Sequence, residues 1–336
     1  MIVILTIYGA ISIVSGEKIY KGQSLLANYT YLQGIYISVM PIYAFYYYSL
    51  RRQLTPKNIT SVYGALFVFS VISYYQQFFK LTVIGGREDI VNNIGYLFVP
   101  LIPMLSIINM RNIWKYVFAL VAFGFIMLSM KRGAILTGSV MLLFFVIHHF
   151  KVRTKTQLAS TFLLLVVAIF VMYRFVISLY ETNAFFHKRF ELTMGGYSSH
   201  RDATYSFFWH YFIERTSVLN FFFGHGANGT MALYGRYAHN DWLEFAINQG
   251  LLGIFLYIIY WCTFVWEWNN YQGPNDCKKT FGDIIIAYFL ITLFSMSFGN
   301  MPLAATLCVG YCLAMSVRSK NQILLKSFHY CPVKVD

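Results

Sequence analysis

The 336-residue sequence predicts an all-α integral membrane protein with about ten transmembrane helices and one large extracytoplasmic loop between the seventh and eighth. Apolar residues make up 58% of the chain, and Asp, Glu, Lys and Arg only 12%, half the charged share usual in a soluble globular domain. At about 20 apolar residues per span, this content lines roughly ten helices and leaves little for a water-facing domain. Low charge, high apolar content and long apolar runs therefore point to one polytopic membrane domain over residues 1–336.

Each span follows from a hydropathic run. The runs lie at 1–15, 31–50, 59–79, 94–108, 114–130, 134–150, 158–178, 242–266, 281–298 and 301–317. The first is the weakest, because Met1 to Ser15 reaches only about 22 Å as a helix. A cleaved signal peptide is the alternative reading, although no basic leader precedes the run and no small-x-small cleavage site follows Val14. Alternating ten spans from a cytoplasmic N-terminus puts 14 of the 26 Lys and Arg in cytoplasmic turns and the 318–336 tail. The short outer connections hold Lys18, Lys21, Lys80, Arg87, Lys131 and Arg132. This bias follows the positive-inside rule and predicts both termini in the cytoplasm. The long segment 181–238 then falls outside. Its aromatic density, with Phe207, Phe208, Trp209, Tyr211, Phe212 and Phe221 to Phe223, suits a segment on the membrane surface or capping the bundle.

The net charge of +13 is accordingly read as topology, and nucleic acid is not an expected partner. Cys262, Cys277, Cys308, Cys312 and Cys331 form no CxxC pair with ligating histidines, so neither a disulfide framework nor a zinc site is expected; no cofactor is expected.

Three stretches carry candidate chemistry. Ser199-His200-Arg201-Asp202 reads as a capping box opening a helix through about Ile213. Arg201 then stands at a helix N-terminus, where a guanidinium and free amides together suit phosphate, or it is a solvated cation partly neutralised by Asp202. The turn Phe223-Gly224-His225-Gly226-Ala227-Asn228-Gly229-Thr230 lacks GK[ST]; it is either a tight turn or a set of amides able to approach phosphate or sugar oxygens. The strongest constellation is His239-Asn240-Asp241-Trp242-Leu243-Glu244 followed by Gly250-Leu251-Leu252-Gly253, where the loop re-enters the membrane. An imidazole at a helix N-terminus is disfavoured as imidazolium and can take a proton near neutral pH. Glu244 either orients a substrate hydroxyl or completes a capping box with Asp241, and the two glycines permit close helix packing. Arg132, in the outer turn Lys131-Arg132-Gly133, either snorkels or holds an anionic group in an outward-facing cavity. Arg174, inside the seventh span, calls for a partner or such a cavity.

These residues resemble the O-antigen ligase and polymerase family of bacterial envelope proteins. Met130-Lys131-Arg132-Gly133-Ala134 looks like its SRGA-type turn, with Lys131 where Ser is usual. Arg201 followed by Trp209, the Phe223-Gly224-His225-Gly226 turn, and His239-Asn240 with nine residues before Gly250-Leu251-Leu252-Gly253 look like its later motifs. The likeness covers roughly 115–265, and the chain has ten spans where about twelve are usual. The resemblance implies a multi-pass, metal-independent glycosyltransferase of the bacterial inner membrane, with an undecaprenyl pyrophosphate-linked glycan as donor and a glycan or lipid-core hydroxyl as acceptor. By the same likeness Arg132 and Arg201 bind the pyrophosphate, His239 is the base, and Arg215 and Arg236 are looser donor contacts. A polymerase extending a surface polysaccharide is the leading expectation, and a ligase shares its donor chemistry. A lipid-linked oligosaccharide flippase is the alternative of another class; it predicts broken helices near mid-membrane and charges deep in several spans.

Overall fold

The computed structural model describes residues 25–84, 91–149, 170–195, 201–297 and 301–329, except 171, 172, 175, 179 and 183. Among these the chain is mostly helical and holds no strand. The expected span at 1–15 and most of that at 158–178 lie outside the described residues. Three helical stretches, Pro56–Val83, Arg132–His149 and Asp241–Asn269, are long and apolar enough to cross a membrane. They mark the chain as a membrane protein.

The chain forms two compact units, Thr60–Asp202 and the remainder. The Thr60–Asp202 unit holds most of α2 (Pro56–Phe79), then α3 (Gly95–Phe98), α4 (Leu101–Met104), α5 (Asn112–Leu128), α6 (Arg132–His149) and α7 (Ala184–Met194). The apolar run 94–108, expected as one span, is instead two four-residue helices. Pro100 and Pro103 explain the break, because each lacks an N–H and crowds the preceding turn. The segment nevertheless forms the unit's core: Phe98, Val99, Leu101, Ile102, Met104 and Leu105 are fully buried, and Phe98 stacks on Phe125 at 4.8 Å.

The other unit contains α1 (Leu25–Leu50), the body of α8 (Arg201–His210) with its π-helical continuation Tyr211–Arg215, α9 (Val218–Phe223), α10 (Gly229–Tyr234), α11 (Asp241–Asn269), α12 (Asn275–Phe294) and α13 (Leu303–His329). Helix α13 packs along α1 and against α12, and α12 packs in turn against α11. Gly310 makes that approach possible, since a Cβ there would lie 2.5 Å from the Ile42 carbonyl oxygen.

Helix α11 is broken. Gly250 adopts φ 65°, ψ −158°, a region essentially closed to residues with a Cβ. The backbone of α9 fills the break: a Cβ on Gly250 would lie 2.6 Å from Phe221 O and Phe222 O. The carbonyls of Ile247 and Asn248 take their hydrogen bonds from His225 N–H at 2.8 Å and Gly226 N–H at 2.9 Å. A short, almost wholly buried helical stretch, 241–249, thereby precedes the long apolar one.

Gly250→Ala is expected to destabilise the protein by about 3 kcal/mol, from a forbidden dihedral plus a backbone clash. Gly64→Ala and Gly124→Ala, where an added Cβ meets nothing within 4 Å, should be neutral or stabilising by up to about 1 kcal/mol. Thermal unfolding in detergent distinguishes the two classes.

Candidate functional site

The His239 turn is assembled from three segments of one unit. Asn240 is the N-cap of α11, with extended φ −150°, and its Oδ1 accepts from Trp242 N–H at 2.9 Å and Leu243 N–H at 3.2 Å. Asparagine is among the best residues for this position. Asp241 is therefore the first helical residue and not the cap. His239, immediately before the cap, takes the left-handed φ of 53°, a conformation uncommon outside glycine but tolerated by histidine in turns. Its side chain is exposed.

The Glu244 carboxylate holds that turn closed. It is fully buried and accepts hydrogen bonds from Ala238 N–H at 2.6 Å, Thr230 Oγ1 at 2.8 Å, Asn248 Nδ2 at 3.2 Å and the His239 N–H. A carboxylate has about four acceptor sites, so this one is committed to its own chain. Glu244 thus neither faces an acceptor hydroxyl nor completes a capping box with Asp241; it is a structural clasp one helical turn inside α11. Asn248 extends the clasp, its Oδ1 accepting from Thr230 N–H at 3.2 Å. Just before the turn, burial raises the Tyr237 phenol above its ordinary pKa, and the Glu244 charge raises it further.

The opposite side of the turn is tied to the end of α12. Tyr205 Oη donates to His239 O at 3.2 Å and lies 3.4 Å from Leu293 O. Asn240 Nδ2 donates to Leu293 O at 3.1 Å, and Trp242 Nε1 to Thr292 Oγ1 at 3.0 Å. Asp241, with no exposed surface, accepts from Tyr257 Oη at 2.7 Å, from Ser297 N–H at 2.9 Å and from the Ser297 hydroxyl.

The structure thus brings together the His239-Asn240, Phe223-Gly224-His225-Gly226 and Gly250-Leu251-Leu252-Gly253 motifs. Of the two readings of the glycine turn, the geometry supports the tight turn. Gly224 (φ 77°) and Gly226 (φ 88°) shape a turn whose amides at 225 and 226 are spent on α11 carbonyls. Gly224 further lets the turn touch the backbone at Asn248 and Gln249.

The arginines are placed differently. Arg236 is exposed, its guanidinium 5.5 Å from the Tyr234 ring centroid, within cation–π range. Arg215 is the exposed last residue of the π-helical turn. Arg201 is the first described residue of α8, and the helix and its π-helical turn run on to Arg215; Ser199, the expected N-cap, lies outside the described residues. Arg132 opens α6 in the Thr60–Asp202 unit, half-buried with its Nε enclosed. Met130 precedes it at φ 54°, and Ser129 pins the turn by accepting Lys131 N–H at 3.3 Å and, through its carbonyl, Asn92 N–H at 2.9 Å. Arg174 is exposed on a helical stretch. No group of three or more His, Cys, Asp or Glu among the described residues is arranged to hold a metal ion.

Sequence reasoning missed Thr230, Asn248, Tyr205, Tyr257 and Ser297 as supports of the histidine turn. One signal was available: two carboxylates within four residues at the start of an apolar helix are costly unless they have partners. Comparison with family models gives no match, and comparison with curated proteins gives none either.

Glu244→Ala strands the Ala238 and His239 amides and is expected to cost about 3 kcal/mol, whereas Thr230→Ala, which removes a single donor, should cost about 1 kcal/mol. Equal and small losses in denaturant titrations would show that the clasp does not hold the turn.

Proposed function

We propose that this protein is a glycosyltransferase of the bacterial inner membrane. It moves a glycan from undecaprenyl pyrophosphate to an acceptor hydroxyl at the outer face, and acts as a surface-polysaccharide repeat-unit polymerase. The observation that carries the reading is the exposed His239, set in a left-handed turn at the start of α11 and braced on both sides by buried carboxylates. A general base has to be reachable by substrate yet held in one geometry, and this turn offers both. In this reading the chain carries about ten spans with both termini cytoplasmic, and residues 181–238 lie outside.

His239 takes the proton of the acceptor hydroxyl as its oxygen attacks the anomeric carbon. The bond from that carbon to the phosphate oxygen breaks, and its electron pair leaves on undecaprenyl pyrophosphate. Fixed cations stabilise the departing charge, the role that the family resemblance gives to Arg132 and Arg201, with Arg215 and Arg236 as further donor contacts. Acceptor choice separates polymerase from ligase, and a product assay reads it directly.

The transporter alternative predicts a broken helix, and α11 has one. Here, though, the break is filled by the backbone of α9, and the carboxylates beside it are satisfied by the chain's own donors. That arrangement favours a rigid support over an ion or substrate path.

His239→Ala is expected to leave membrane insertion intact and to lower transfer from a lipid pyrophosphate donor by about 10²- to 10⁴-fold. Arg132→Lys and Arg201→Lys keep charge but lose the planar fork, so weakened donor use is expected. Normal turnover by the histidine variant would overturn the base assignment, and unchanged donor kinetics in both lysine variants would make those arginines interfacial cations only.

A further inference from the structure

We propose that Asp241 is the positioning residue for His239, acting through a clasp on Ser297 and Tyr257; this rests on the reading of His239 as the base. Asp241 lies two residues after His239 and is sealed from solvent. A buried carboxylate is strongly unfavourable without hydrogen-bond donors. Its donors come from far along the chain: the Ser297 N–H at 2.9 Å to Oδ1, the Ser297 hydroxyl to Oδ2, and Tyr257 Oη at 2.7 Å to Oδ2. Charge-assisted bonds of this kind are about twice as strong as neutral ones. They fix the first residue of α11 against the segment that follows α12. The adjoining Asn240–Leu293 bond runs to the same end of α12, and Tyr205 of α8 donates to the His239 carbonyl, so the left-handed His239 backbone is held from the residue before the helix and from the residue that begins it. Glu244 closes the turn on its own loop. Asp241 decides where the closed turn stands relative to the rest of the unit.

The chemistry makes a specific demand. Asp241→Asn keeps volume and backbone but presents either an amide N–H₂ to the Ser297 N–H or a single oxygen to donors that now use two. Ser297→Ala leaves the backbone bond and removes the hydroxyl. Tyr257→Phe removes only the phenol. The expected order of effect is Asp241→Asn, then Ser297→Ala and Tyr257→Phe.

The test needs no substrate in its first arm. The full-length protein in detergent is treated with diethyl pyrocarbonate, and acylation of each histidine is followed by peptide mass spectrometry across pH. The rate at His239 is expected to change at least about threefold in Asp241→Asn and measurably in Ser297→Ala, while the rates at His187 and His210 stay as in the wild type; a change of this size reports access and basicity of the ring. In the second arm, transfer from an undecaprenyl pyrophosphate-linked glycan is expected to fall in kcat by about 10- to 100-fold, with the donor KM little changed, since a displaced base misplaces the proton acceptor and not the donor. If Asp241→Asn does not fold, Ser297→Ala decides. An unchanged His239 profile in the folded variants overturns the positioning role whether or not the protein is a transferase. A changed profile in a protein whose wild type transfers no glycan keeps the positioning role and overturns the enzymatic reading.

Discussion

The Glu244 carboxylate, buried in the first turns of α11 and fed by donors from its own chain, is the interaction on which the candidate site depends. Isolated in a low-dielectric interior, a charge of this kind would cost several kcal/mol. Here the cost is offset by drawing in Ala238, His239, Thr230 and Asn248, which belong to the turn, to α10 and to α11. The loop from Gly224 onward therefore folds back on the helix it introduces. That same folding back supplies the His225 and Gly226 amides to carbonyls of Ile247 and Asn248. Gly250 can leave the helical conformation because those carbonyls have other partners. The carboxylate, the glycine turn and the helix break are one arrangement.

Only part of this arrangement was legible in the sequence, for identifiable reasons. The start of α11 could be read because a polar cap before an apolar run has a local signature, though Asn240 and not Asp241 turned out to cap it. The helical character of the long apolar runs followed from hydropathy. The run at 94–108 went wrong because hydropathy averages over Pro100 and Pro103, whose effect is on backbone geometry. The role of Gly250 was hidden because a glycine that packs and a glycine that breaks look alike in a one-dimensional pattern. Asp241 could not be assigned its partner from the sequence, since Ser297 lies 56 residues away and nothing in serine's surroundings marks it.

The charge excess of +13 separates into cations that fit a topological role and a smaller set with distinct surroundings. Arg132 stands half-buried at the start of a helix in a turn pinned by Ser129, and Arg236 rests against Tyr234. His239 stands exposed in its left-handed turn before α11. A metal-independent transfer needs these two functions, fixed positive charge for the leaving group and a held base for the incoming hydroxyl.

The most direct measurement of the central claim is release of undecaprenyl pyrophosphate from a lipid-linked repeat by the purified protein in EDTA. Release accompanied by longer lipid-linked glycans is the result expected of a metal-independent polymerase. No release, with or without an added glycan or lipid-core acceptor, or release that requires Mg²⁺, would contradict it.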